Sequence, residues 1–376
     1  MSNATDEKTP LFDLTPTEEQ QMMVDSMVRF AEAALRPAAR EADTHSRVPD
    51  GLLDEAHGLG LTMMAIPEQF GGAGGERSPV SNVLIAEALG RGDMALALAI
   101  LSPLGVVNTL LDQGTDAQRE HYLPRFLDET FAPAATAVHE GTALLDPYAL
   151  RTKARAEGDE FIINGEKTLV ALSSRQPLLL VLAAVEGETA PAAFLVEGDS
   201  AGLTFDDEPT MGLRGMEPGK VVFENVRVPS SARLGSAERP FDVQRFFGLS
   251  KLGLGAAATG VADGLLEHVI EYTNTRVAFG EPISHRQAVA FMVANIGIER
   301  DGMRLMVQRA ASRAEQGLSF QREAVLAARF CGQYAMEIGS NGVQLLGGHG
   351  FTQEYDEEMW YRHLRAVAIL EGTFSV

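Results

Sequence analysis

Glu371 is a lone carboxylate between an apolar run, Ala366 to Leu370, and the pair Gly372-Thr373. A carboxylate in apolar surroundings is poised to take a proton from a weakly acidic carbon, because desolvation disfavours its charge and raises its basicity. Upstream, Gly347, Gly348 and Gly350 crowd into a few residues. Lacking Cβ atoms, they let the backbone take positive φ and admit a bulky group such as a pyrophosphate or adenine. Arg276 offers a guanidinium that can make paired, charge-assisted hydrogen bonds to phosphate oxygens. Each reading has a plainer rival. The glycines can simply end a helix, Arg276 can complement a helix C-terminal dipole, and Glu371 can be a solvent-facing helix-end carboxylate. The residues alone leave these alternatives open. The Gly-x-Gly-x-x-Ala of residues 253–258 lies inside a helical pattern rather than after a strand, so it reads as close helix packing.

The whole chain must supply a scaffold for that chemistry. Its 376 residues exceed one compact core and predict two or three packed regions. Hydrophobic residues make up 45%, enough apolar material to exclude disorder. With 52 acidic and 31 basic side chains the formal charge is −21, which argues against general binding of nucleic acid or anionic membrane. A local basic patch can still hold an anionic ligand. The single cysteine, Cys331, excludes an intrachain disulfide and a cysteine-rich metal site, and no metal site is expected. It reads as a small buried helix residue. The polar start, MSNATDEKTP, lacks the apolar core of a secretory signal, so a cytoplasmic protein is expected. The longest apolar stretch, residues 94–111, is interrupted by Ser102, Pro103 and Asn108 and reads as a buried helix pair, with no membrane span.

Three textures follow one another. Apolar residues recur at helical spacing from Thr15 to about Leu127. Short β-rich runs separated by Gly, Pro and Asp occupy about Phe131 to Pro240. From Phe241 the helical period returns in segments much longer than the average helix, which suit an antiparallel bundle. The expected architecture is α+β. An N-terminal helical domain (1–128) precedes a central β-barrel or sandwich domain (129–240) and a C-terminal four-helix bundle (241–376).

The segment from Gln344 to Thr373 resembles the C-terminal signature of the acyl-CoA dehydrogenases. In that family a Gln-x-x-Gly-Gly segment lies against FAD, and the glutamate of Glu-Gly-Thr removes a proton from the acyl thioester. The resemblance extends over nearly the whole chain. AIPEQFGGAGG at 65–75 is similar to the family's Ile-Pro-Glu-x-Tyr-Gly-Gly turn, NGEK at 164–167 to its hairpin, and VVFENVRVP at 221–229 to a later strand. TRVAFGEPISHRQAV resembles the family's Arg-x-x-Phe-Gly followed by His-Gln. The resemblance implies an FAD-dependent acyl-CoA dehydrogenase of lipid metabolism with Glu371 as base and Gly372 beside the substrate. It places Arg276, Phe279, Gln287, Gln344, Gly347, Gly348 and Thr373 on FAD. It further implies that Arg276 reaches the FAD of a neighbouring subunit in a homo-oligomer, dimer or tetramer, and that electrons pass to an electron-transfer flavoprotein.

The β-domain departs from the family. The usual Thr-Glu-Pro reads His139-Glu140-Gly141, and the usual Trp-Ile-Thr reads Leu169-Val170-Ala171. A hydroxyl beside the flavin ring is therefore expected to be lost unless Thr168, Ser173 or Ser174 replaces it. Lys251 falls near a position where many members carry arginine. The chain ends at Val376, before the family's closing helix, so either the sequence is shortened or the bundle is capped differently. These departures raise two other readings: a weakly active or structural subunit of a heteromeric complex with a paralogue, or another flavoenzyme of the same fold. The acyl group is not legible.

Overall fold

A computed structural model describes residues 14–74, 77–142, 145–235, 239–372 and 374–376. The N-terminal region is helical. Thr17 starts α1 (Glu18–Phe30) with a reciprocal capping box to Gln20, and a π-helical turn carries the chain into α2 (Arg36–His45). Then come α3 (Leu52–His57), α4 (Leu61–Ala65), α5 (Pro79–Gly90), α6 (Met94–Gln113) and α7 (Asp116–Tyr122).

Residues 94–113 form one helix, not the pair expected from Ser102 and Pro103. Proline forfeits one helical hydrogen bond, but the helix is buried on nearly every side, and that packing keeps it continuous. α6 is long and apolar enough to cross a membrane by composition, yet 94% of its apolar window is buried inside the fold.

The middle region is a seven-stranded sheet: β1 (Ala134–Ala137), β2 (Lys153–Glu157), β3 (Glu160–Val170), β4 (Leu178–Val185), β5 (Pro191–Val196), β6 (Leu203–Asp207) and β7 (Gly219–Pro229). Strand β4 pairs antiparallel with β5 and parallel with both β1 and β2. The long β3 and β7 pair antiparallel, with register shifts between Ile163 and Gly165 and between Lys167 and Val170. The second shift puts Leu169 at φ 56° and turns its N–H to Glu208 Oε2 at 2.7 Å. Bulges of this kind re-aim side chains beside functional sites.

The chain then enters α8 (Val243–Thr275), a 33-residue helix, followed by the short hairpin β8 (Val277–Ala278) and β9 (Glu281–Pro282). Helices α9 (Gln287–Glu315), α10 (Gln321–Leu346) and α11 (Glu357–Ala366) complete the bundle. Cys331 is fully buried in α10, as its sequence context predicts, and burial pushes its thiol up to about 12. Beyond α11, Phe374 and Val376 are buried against Gly253 of α8, and Asn108 of α6 donates to the Ser375 carbonyl at 2.9 Å.

Helices α5 and α8 cross so closely that glycine is required on both. A Cβ on Gly90 would lie 2.3 Å from the Ala257 carbonyl oxygen, and one on Gly260 would lie 2.0 Å from that of Glu87. Those neighbours are backbone atoms in helices and cannot give way cheaply. Alanine is the better helix former by about 1 kcal/mol, but overpacking costs about 1–3 kcal/mol. Gly260→Ala is therefore expected to lower stability in urea denaturation, with a shifted midpoint and an unchanged slope.

Candidate active site

Helix α11 is fixed from both sides before the chain reaches Glu371. His363 is buried, donates from Nε2 to Asp93 at 3.0 Å and accepts at Nδ1 from the Leu213 N–H at 2.9 Å. Asp93 uses its other oxygen to cap α6 through the Leu96 N–H. Arg362 makes paired hydrogen bonds to Asp43, at 2.8 and 2.6 Å, and a third to the Met211 carbonyl. Burial alone would raise the Asp43 carboxyl, but Arg362 outweighs it and holds the group below its ordinary range. One turn of α11 thus joins the N-terminal helices to the β-domain.

Four residues past α11, Leu370 is buried and Glu371 points outward, its side chain 38% exposed. Sequence context predicted an enclosed carboxylate; the structure instead gives it a cation. Lys251 Nζ lies 2.9 Å from Glu371 Oε2 and sits over the Phe247 ring. A half-exposed pair of this kind contributes about 1 kcal/mol or less to stability, so its main effect is to orient the carboxylate. The Glu371 N–H donates to His139 Nε2 at 2.7 Å. Next to it, the Gly372 carbonyl accepts from the Thr136 hydroxyl. Gly372 has φ 73°, and a Cβ there would meet Val138 at 2.8 Å, so no other residue fits the turn.

The β-domain side of this junction is equally fixed. Lys167 is fully buried and donates to the Val138 carbonyl at 3.1 Å and to Glu140 Oε1 at 2.8 Å. Glu140 also accepts the N–H groups of Arg151 and Thr152. Burial would raise its carboxyl, but Lys167 and these donors hold it below the ordinary range. The His139 carbonyl accepts from the Thr168 N–H at 2.9 Å.

Two cavities flank Leu370. One, of about 810 Å³, is lined by Lys251, Leu254, Met306, Cys331 and Glu371 among others, and Glu371 is its sole carboxylate among the described residues. The other, of about 210 Å³, is lined chiefly by apolar residues including Leu169, Leu213, Met216 and Ile369. Of the hydroxyls that could replace the missing threonine, Ser173 and Ser174 are bonded to Glu217. Thr168 accepts from the Gly141 N–H at 3.1 Å, which leaves its own hydrogen for a ligand.

The remaining site residues gather at the far end of α8. Arg276 caps that helix, is exposed and has no ion-pair partner among the described residues. Phe279, on the β8–β9 turn at φ 56°, is 95% exposed. Gln287 opens α9 and is also exposed. Tyr272 binds His349 at 2.8 Å and thereby docks the glycine turn against α8. Gln344, Gly347 and Gly348 are exposed there, and a Cβ on either glycine would meet open space. Gly347 has φ 60° and ψ −129°, a conformation that favours glycine. An unpaired guanidinium, an exposed aromatic ring and an open glycine turn suit the phosphates and adenine of a dinucleotide. Thr373 lies outside the described residues.

These two groups are far apart. Lys251 and Arg276 are separated along α8 by ~37 Å at 1.5 Å per residue, more than one FAD can bridge. The resemblance already implies that Arg276 reaches the FAD of a neighbouring subunit, and this distance within one chain is compatible with that expectation. Sequence reasoning missed two direct partners of Glu371. Lys251 was detectable as a lone charge in the apolar run of α8, whereas His139 read only as a lost threonine.

The chain matches the family models for the N-terminal domain (residues 17–130), middle domain (135–226) and C-terminal domain (242–376) of acyl-CoA dehydrogenases. It is 33% identical over 377 residues to the probable acyl-CoA dehydrogenase FadE25 of Mycobacterium tuberculosis, covering 98% of this chain and 95% of that one. It is 30% identical to the 3-(aryl)acrylate reductase of Clostridium sporogenes, covering 95% and 96%. The fold superimposes on butyryl-CoA dehydrogenase from Megasphaera elsdenii with a TM-score of 0.87, 26% identity and 95% coverage of each chain. With all three domains matched and Glu371 held between the β-domain and α8, the chain belongs to the acyl-CoA dehydrogenase family of FAD-dependent oxidoreductases.

Proposed function

We propose that this protein oxidises an acyl-CoA thioester across its α,β bond, with Glu371 as the base. The observation that carries this reading is that Glu371 is the sole carboxylate among the described residues lining the larger cavity, directly beyond the buried Leu370. A thioester carbonyl acidifies the α-proton, and a carboxylate within reach can take it as charge develops on the carbonyl oxygen. Lys251 orients that carboxylate and offers a positive charge to the developing enolate. Leu254, Met306 and Leu370 give the cavity an apolar wall against which an acyl chain would pack. FAD, when bound, accepts the β-hydride; placement and electrostatics come from the protein.

Leu169, Thr168 and Gly141 would face the flavin ring, with Thr168 supplying the hydroxyl that Ala171 cannot. The dinucleotide end would be held by Arg276, Phe279, Gln287, Gln344, Gly347 and Gly348 of a second chain, because those residues lie too far along α8 to reach the same FAD. The active form is therefore an assembly of at least two chains, and an electron-transfer flavoprotein reoxidises it. The commitment of Ser173 and Ser174 to Glu217 supports a second reading, a weakly active partner subunit. A colourless protein on purification without a paralogue would favour it.

Glu371→Gln keeps size and polarity but removes the base. It should fold and bind FAD normally while losing about 3 kcal/mol of transition-state stabilisation, a hundredfold or more in the rate of flavin reduction by acyl-CoA in stopped flow. Equal rates for variant and parent would place the base elsewhere. Arg276→Ala should fold but lose bound FAD, read from the visible spectrum of the purified protein. Co-expression of the Arg276→Ala and Glu371→Gln chains under separate tags should restore activity that neither shows alone, since mixed assemblies contain sites with one intact half from each.

A further inference from the structure

The Glu371 peptide is held by a titratable acceptor whose backbone is fixed on both sides. His139 is flanked by Val138 and Glu140, both tied to the buried Lys167, and its own carbonyl is tied to the Thr168 N–H. The turn that faces it is fixed by Gly372 and by the Thr136 hydroxyl. With both backbones pinned, the imidazole presents Nε2 to the Glu371 N–H at 2.7 Å. An Nε2 that accepts must be unprotonated, so the ring is neutral and carries its hydrogen on Nδ1.

We infer that His139 is a positioning residue for the base and a proton-operated latch: neutral, it holds the Glu371 peptide, and protonated, it lets go. Protonation would turn Nε2 into a donor aimed at another donor. The bond would then be replaced by repulsion between two N–H groups, and the Glu371 peptide would lose its hold on His139 while the Gly372 carbonyl stays bonded to Thr136. This builds on Glu371 as the base but concerns only how the residue is held.

The charges around the ring set where the switch falls. Burial disfavours the imidazolium and lowers its pKa. The Glu371 carboxylate opposes that lowering, and the Lys167 ammonium adds to it. Behind them, Glu140 is paired with Lys167, and Lys251 of α8 is paired with Glu371. The net displacement is downward from the ordinary value near 6.5. An unfolded chain therefore takes up this proton first, so the latch contributes fully above that value and is lost as pH falls through the folded-state pKa.

Amide hydrogen exchange of the segment spanning residues 369–372, read by mass spectrometry and corrected for intrinsic rates, tests the latch without FAD or substrate. Protection of the Glu371 amide in the parent should drop roughly three- to tenfold between about pH 8 and about pH 5, the range for one hydrogen bond. His139→Gln keeps an acceptor but cannot titrate, so it should stay protected at both pH values. His139→Phe keeps a ring without an acceptor and should be unprotected at both. A parent whose protection does not change, or a Phe variant as protected as the parent, would overturn the proposal. So would a Gln variant that titrates like the parent, which would assign the change to the Glu371–Lys251 pair. Failure of Glu371→Gln to slow flavin reduction would overturn the base and leave these exchange results standing.

Discussion

The His363 ring holds this molecule together at the point where it matters for chemistry. Its two nitrogens reach different regions, Asp93 at the start of α6 and the Leu213 N–H in the β-domain. Asp93 is itself the N-cap of the most buried helix in the protein. Losing the imidazole would leave one oxygen of a buried carboxylate and a buried N–H without their partners, each costing about 1–3 kcal/mol. Arg362, one residue earlier, repeats the arrangement with Asp43 and the Met211 carbonyl. With α11 anchored in this way, the few residues that follow it have only one place to go, the seam between the exit of β1 and the flank of α8.

That seam explains why the Glu371 turn is specified by so many separate contacts. A carboxylate on a free loop would sample many positions, and catalysis by proton abstraction depends steeply on placement. Here the backbone N–H, the adjacent carbonyl and the side chain are each held by a different element: His139 after β1, Thr136 within β1 and Lys251 on α8. No single contact is strong. Their convergence restricts the turn because each removes a different degree of freedom.

The order of helices, sheet and helices was legible because hydrophobic period changes at each transition, from helical spacing to short β-rich runs and back. Cys331 was legible because small apolar neighbours surround it in a helical pattern. Pro103 misled, since a local helix-breaking preference was overridden by burial along α6. The two partners of Glu371 were hidden for a different reason. His139 and Lys251 lie 232 and 120 residues away from it in the chain, and no local spacing encodes a contact made only when three elements meet. Replacement of a threonine by His139 read as the loss of a hydroxyl, whereas the fold uses the imidazole for an unrelated bond.

Helix α8 has a further significance as a measuring rod. Its Lys251 end pairs with Glu371, and its Arg276 end carries the exposed guanidinium beside the glycine turn. Inserting or deleting one residue between them would move one end by ~1.5 Å and rotate it by ~100° about the axis. Side chains in the middle of α8 can change wherever packing allows, but their number cannot. The length of this helix, apart from its composition, carries functional information.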